Sequence, residues 1–196
     1  MDRAPIGRNR EPVVDEDLVA AARTGDQDAY VDLITARIDH LFTIAHGILA
    51  DFDRAEDALQ DALVIAWRDL RGLRDPDRFD AWLRKLLVNV CIREASRERR
   101  RAMNLRVLPV DGPVAPDDLL SLADRDELER GFNRLPADQR AILVLRHYAG
   151  YSPTEIAHAL GIPEGTARSR LHHAHRAMRA ALDAEGRLSV AGGHSA

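Results

Sequence analysis

Apolar positions recur at intervals of three and four over several long segments of the chain, the period of a helix with one buried face. A short helix is expected from Asp15 to Arg23, stopped by "TGD". Asp26 or Gln27 then opens a longer pattern through "AYVDLITARIDHLFTIAHGIL". Val31, Ile34, Ile38, Leu41, Ile44 and Ile48 share one face of it, which predicts one continuous helix. The following segment, "DFDRAEDALQDALVIAWRDL", places carboxylates at the positive end of a helix dipole and carries Ala55, Leu59, Ala62, Leu63, Ala66, Trp67 and Leu70 as its stripe. Pro76 breaks the loop "RGLRDPDR". After it, "FDAWLRKLLVNVCIREASRERRR" runs from an apolar half into a basic half.

From Met103 to Asp118 the period disappears into "MNLRVLPVDGPVAPDD", with three prolines and one glycine. That composition is a linker. Periodicity returns with "LLSLADRDELERGFNRL" and "PADQRAILVLRHYAG". The pattern divides the chain into a flexible extension at 1–14, a helical domain at 15–101, a linker at 102–123, a second helical domain at 124–184 and a flexible tail at 185–196. The expected fold class is all-α, two small helical domains on a flexible tether. Aromatic residues at only 5% and scattered β-branched residues agree with helix over sheet.

The segment "SPTEIAHALGIPEGTARSRLHHAHRAM" holds the clearest local grammar. Ser152 is a hydroxyl cap followed by a first-turn proline and, three residues on, Glu155, which together form a capping box. Gly161 supplies a left-handed turn, Ile162 plugs between two helices, Pro163 starts the second, and small Ala157 allows close approach. This is a helix-turn-helix. In its second helix Ala167, Leu171, Ala174 and Met178 should pack inward, leaving Gly165, Arg168, Ser169, His172, His173 and Arg176 outside on a face without carboxylates. Inserted into a major groove, Arg168, Ser169 and His172 would approach base edges, with Thr166, Arg170 and Arg176 nearer phosphates.

Two further surfaces carry charge. Arg93, Arg97 and Arg100, flanked by Arg99 and Arg101, form a basic helix end beyond what dipole capping requires, and a phosphate track is the favoured reading. Glu56, Asp57 and Asp61 interleave with Gln60 on the side of the third helix away from its apolar stripe. An acidic face repels DNA, so its partner would be a basic protein surface, with simple solvation as the alternative.

Whole-chain properties narrow the rest. The 196 residues are 45% hydrophobic and 31% charged with formal net charge −4, so DNA binding must come from local clusters. No signal peptide or membrane span is expected, which implies cytoplasmic localisation without membrane insertion. Cys91, the single cysteine, reads as a small buried hydrophobe, and Trp82 reads as core. His172 and His175 lie three apart, with His147 and His158 elsewhere in the domain, but no familiar metal-ligand spacing appears. No phosphate-cradling loop or nucleophile elbow is present, so neither an enzyme nor a cofactor is expected.

In combination, "AEDALQDALVIAW", "FDAWLRKLLVN" leading into arginines, and "LPADQRAILVLRHYAGYSPTEIAHALGIPEGTARSRLHHAHRAM" resemble an extracytoplasmic-function (ECF) sigma factor of the sigma-70 family. The resemblance spans roughly Asp15 to Leu182. It implies a first domain (region 2) that docks through Asp57, Gln60 and Asp61 on the clamp helices of the largest subunit of core RNA polymerase. The same domain would engage and help melt the minus-ten promoter element, with loop 71–78 and Asn89 near an extruded base and Arg93, Arg97 and Arg100 at the backbone. It implies a second domain (region 4) that reads the minus-thirty-five element through Thr166, Arg168, Ser169, Arg170, His172, His173 and Arg176 and lies at the polymerase flap region. An anti-sigma factor is a further partner the resemblance allows. A stand-alone helix-turn-helix regulator is the alternative, and it would bind DNA without polymerase.

Overall fold

The computed structural model describes residues 16–105 and 122–192. The expected N-terminal extension and most of the expected linker lie outside the described residues. Those described form helices α1 (Glu16–Thr24), α2 (Gln27–Thr35), α3 (Ile38–Leu49), α4 (Phe52–Asp69), α5 (Phe79–Leu105), α6 (Leu122–Asn133), α7 (Ala137–His147), α8 (Pro153–Leu160) and α9 (Glu164–Gly192). Two short 3-10 turns, Leu70–Gly72 and Pro76–Arg78, occupy the proline loop between α4 and α5. No strand occurs among the described residues. Two helical ends run past their expected limits: α5 continues through Leu105, and α9 continues through Gly192 into the segment expected to be a flexible tail.

Local chemistry accounts for most boundaries. Asp26 caps α2 by accepting from the Ala29 amide at 3.1 Å, and Asp51 caps α4 by accepting from the Arg54 amide at 2.9 Å. The inner stripe of α4 is small: Ala55, Ala58, Leu59, Ala62 and Ala66 are buried, so α3 and α5 can both lie close against it. Cys91 is fully buried in α5, and burial pushes its thiol up to about 12, which keeps it protonated and inert.

The single long helix expected between Gln27 and Leu49 is instead two. The chain breaks at Ala36 and Arg37, and Val31 and Ile38, expected on the buried face, are 58% and 40% exposed. Arg37 explains the break. Its side chain is buried, pairs through Nε with Asp80 at the start of α5, donates Nη1 to the Leu33 carbonyl at 2.8 Å, and lies over the Phe79 ring at 5.4 Å. Burying a cation requires such partners.

The two helical domains pack on each other. α7 lies against α3, and α8 lies against α5. Arg140 of α7 donates Nε to the Ile48 carbonyl at 2.7 Å and Nη2 to the Leu49 carbonyl at 3.1 Å, while Nη1 serves the Asn133 and Leu135 carbonyls at 3.1 and 2.8 Å. A guanidinium from the second domain therefore caps the C-terminus of a first-domain helix, where the last carbonyls lack partners. Burial, with Arg54 adding repulsion, lowers its pKa to about 10, which leaves it cationic at neutral pH. Arg84 of α5 is buried against Tyr151, donating Nε to the phenol oxygen at 2.7 Å with its guanidinium 5.3 Å from the ring centre. His40 of α3 stacks on Tyr148 at 5.1 Å. Gly47 faces Val144 so closely that an added Cβ would lie 3.0 Å from its methyl carbon.

Candidate nucleic-acid and polymerase interfaces

The helix-turn-helix is assembled by short-range contacts. Ser152 Oγ accepts from the Glu155 amide at 3.2 Å while Glu155 Oε2 accepts from the Ser152 amide at 2.7 Å, completing the capping box. These bonds to Ser152 hold the Glu155 carboxyl below its usual range. Gly161 is left-handed at φ 64°, and the Ile162 amide returns to the Ala157 carbonyl at 3.0 Å. Ala167 and Ala174 are buried, and Leu171 and Met178 half-buried, as their spacing predicts. Arg168, Ser169, Arg170, His172, His173 and Arg176 are exposed on α9, and Thr166 is half-buried.

That face departs from expectation in one respect. It is not free of carboxylates, because Glu164 sits at its start and accepts from Arg168 Nε at 3.0 Å and Nη2 at 2.6 Å. Inward spacing alone assigned Glu164 to no face, although an (i, i+4) Glu–Arg pair is a signal that could have found it.

A second pair spans α7 and α9, where His147 and His175 bring their Nε2 atoms to 2.8 Å. Such a contact requires at least one neutral ring. Partial burial, then the neighbouring His175 and Arg146, lowers the His147 pKa. The unfolded chain therefore takes up this proton first as pH falls, so the stabilisation is complete above about pH 6.5 and is lost as pH drops towards the folded value. The melting temperature of the native chain is expected to fall more steeply between pH 7 and 5.5 than that of His147→Asn. Parallel curves would show that the pair carries no such coupling. No group of three or more histidine, cysteine or carboxylate side chains positioned for a metal occurs among the described residues.

In the first domain Asp57, Gln60 and Asp61 are all exposed on α4, with Gln60 Nε2 donating to Glu56 Oε1 at 3.4 Å. They do not form an isolated acidic face. With Arg54 they line one wall of a groove of about 370 Å³, floored by Ala58, Ile65 and Val90, whose opposite wall is Arg93, Glu94 and Arg97 of α5. Glu94 stands between cations, 4.0 Å from Arg54 Nε and 3.8 Å from Arg97 Nη1. Sequence reasoning weighed Glu94 only against the arginines of its own helix and missed Arg54, since their meeting depends on how α4 crosses α5.

Asn89 is half-buried, and its carbonyl accepts from Arg93 Nε at 3.2 Å. Arg100 lies beyond the groove, with Nε on the Ser96 carbonyl at 3.2 Å. The loop before α5 keeps Arg71, Arg74, Asp75 and Arg78 exposed, and Asp75 fixes its second turn by accepting from the Asp77 amide at 3.2 Å and pairing with Arg78 at 3.2 Å. Trp82 is half-buried beside Phe79, their rings 6.1 Å apart.

A helical body with a basic helix end and a groove of mixed charge, followed by a helix-turn-helix body, is the architecture of a DNA-directed regulatory protein with a second polar face. Two family models match the same two bodies: Sigma-70 region 2 over residues 33–101 and Sigma-70 region 4 over residues 125–178. The chain is similar to the ECF RNA polymerase sigma factor SigM of Mycobacterium tuberculosis, at 32% identity over 80% of this chain and 78% of that protein. It is also similar to SigW of Bacillus subtilis, at 25% identity over 84% of this chain and 94% of that one. Among solved structures, the sigma factor RpoE of Bartonella quintana, in complex with the anti-sigma factor NepR, matches with a TM-score of 0.64 and 26% identity, covering 79% of this chain and 96% of that one. CnrH in complex with the cytosolic domain of CnrY matches with a TM-score of 0.60 and 26% identity, covering 87% and 98%. The chain belongs to the sigma-70 family, as an RNA polymerase sigma factor of the ECF class.

Proposed function

We propose that this sigma factor divides its work between the two bodies at the residues its surfaces single out. Asp57, Gln60 and Asp61 dock on basic positions of the core polymerase clamp helices, using the exposed side of α4. Arg93, Arg97 and Arg100 neutralise promoter backbone at the melted fork, and Asn89 with loop 71–78 holds the extruded minus-ten base. Extrusion costs a few kcal/mol of unstacking, which a pocket and a cationic track offset. α9 enters the major groove of the minus-thirty-five element, with Arg168, Ser169, His172 and His173 towards bases and Thr166, Arg170 and Arg176 towards phosphates.

The observation that carries this reading is the groove between α4 and α5, where the docking carboxylates and two of the backbone-binding arginines face each other. Docking brings a basic partner to the α4 carboxylates, while Arg93 and Arg97 stand across the groove for DNA. The protein contributes no catalytic step of its own and works in the cytoplasm, where polymerase and promoter meet. No helix among the described residues is long and apolar enough to cross a membrane. An anti-sigma factor is the third partner in this reading, in keeping with the solved relative that carries one.

The test is transcription with core polymerase on promoters selected by the reconstituted holoenzyme. Gln60→Ala with Asp61→Ala is expected to reduce core affinity and start-site-specific transcript by about tenfold, the cost of truncating interfacial charge. Binding to the same promoters by the protein alone, with no dependence of transcription on it, would overturn the assignment.

A further inference from the structure

The carboxylate of Glu164 lies at the first residue of α9, on the side that faces DNA in the reading above. It is held from two directions. Thr154 Oγ1 of α8 donates to Oε2 at 3.0 Å, and Arg168 donates to Oε1 through both Nε and Nη2. The pair thus bridges the turn between the two helices and fixes where the guanidinium stands. The arginine and then the threonine hold the Glu164 carboxyl below its ordinary range, so it stays ionised at neutral pH.

The geometry of a guanidinium determines the consequence. Its donors lie along two usable edges, the side edge of Nε and Nη2 and the end edge of Nη1 and Nη2. Glu164 occupies the side edge, which leaves the end edge of Arg168 for another acceptor. Two parallel donors on one plane match the paired O6 and N7 acceptors that guanine alone offers in the major groove. An arginine without this brace would be free to swing onto the phosphate backbone, where it adds affinity and no sequence information. A carboxylate beside it opposes that swing, because phosphate and Glu164 repel.

We propose that Glu164 is a specificity-determining positioning residue, which braces Arg168 as a guanine reader at one position of the minus-thirty-five element. The inference rests on the assignment of α9 to that element. Glu164 itself contacts no base, and it acts only through Arg168.

The experiment is selection of promoters from a library randomised across the minus-thirty-five element, with holoenzyme carrying native protein, Glu164→Ala, Glu164→Gln, Arg168→Ala or the Glu164→Ala/Arg168→Ala pair. Native protein is expected to prefer guanine at one position. Arg168→Ala should erase that preference, and Glu164→Ala should weaken it about tenfold while leaving the other positions unchanged. Glu164→Gln keeps an acceptor and should retain part of the preference. The double variant should lose no more than Arg168→Ala alone, since both act through one contact. For Glu164→Ala, measured on the same proteins, core affinity should be unchanged and melting temperature should fall by no more than a few degrees, the loss of one exposed pair, which separates positioning from loss of fold. An intact guanine preference in Glu164→Ala, or an equal loss at every position, would overturn the proposal. If Arg168→Ala leaves every preference intact, the placement of α9 on the element fails instead.

Discussion

Arg140→Ala is expected to lower unfolding stability by about 2–4 kcal/mol, from the carbonyls it leaves without a donor less the relief of a buried cation. The side chain is only 9% exposed, and its three nitrogens serve four carbonyls. Alanine leaves Ile48, Leu49, Asn133 and Leu135 with acceptors facing a void, each costing about 1–3 kcal/mol where water cannot enter. Water reaching some of them keeps the total below the sum. The loss should also be local. Ile48 and Leu49 close the last turn of α3, so hydrogen exchange at the α3 C-terminus should accelerate before the rest of the first domain. Arg140→Lys keeps the charge but not the planar fork, and should fall between the two. Urea unfolding measures the free energy. A cost below about 1 kcal/mol would mean that water replaces the guanidinium and that the domains are not held through it.

Much of the fold was legible because its signals are short-range. Ser152, Glu155 and Gly161 specify α8 and its turn within ten residues, and each takes the predicted conformation. The stripe on α4 likewise follows from Asp51 and a run of alanines at helical spacing. What escaped depends on distance along the chain. The break at Arg37 answers to Asp80, 43 residues away, and the periodicity of Val31, Ile34 and Ile38 continued across it without a flaw. The contact of His147 with His175 spans 28 residues and two helices. The separate reading of an acidic α4 and a basic α5 end could not foresee that Arg93 and Arg97 face the carboxylates, because that follows from which sides of two helices meet. Glu164 is the exception, since its partner is only four residues on. Attention to the inward stripe concealed it.

The same packing that Arg140 secures sets a limit on action at a promoter. The minus-ten and minus-thirty-five elements lie about 25 base pairs apart, roughly 85 Å of duplex at 3.4 Å per pair. α9 packs on α8, and α8 on α5. With packed helix axes about 10 Å apart, the recognition helix stands some 20 Å from α5. The arginine end of α5 extends the reach by about 24 Å, 16 residues beyond Arg84 at 1.5 Å each. With α5 and α9 assigned to the two elements as proposed, the packed form cannot engage both on an extended promoter, and that proposal requires the domains to part before initiation.

A covalent lock between α3 and α7 should stop transcription. Gly47 and Val144 are the natural sites, since a Cβ on the first would lie 3.0 Å from a methyl of the second, close enough for a disulfide between Gly47→Cys and Val144→Cys. Cys91, buried with its thiol raised to about 12, will not compete for either. Oxidised double variant is expected to lose promoter-dependent transcription by well over tenfold, and reductant to restore it, since the lock blocks opening and leaves every DNA contact intact. Each single cysteine variant, unable to bridge within the chain, controls for damage at the crowded contact. Full activity of the oxidised protein would show that both elements are reached without separation, and the proposed division of labour between the two bodies would have to be abandoned.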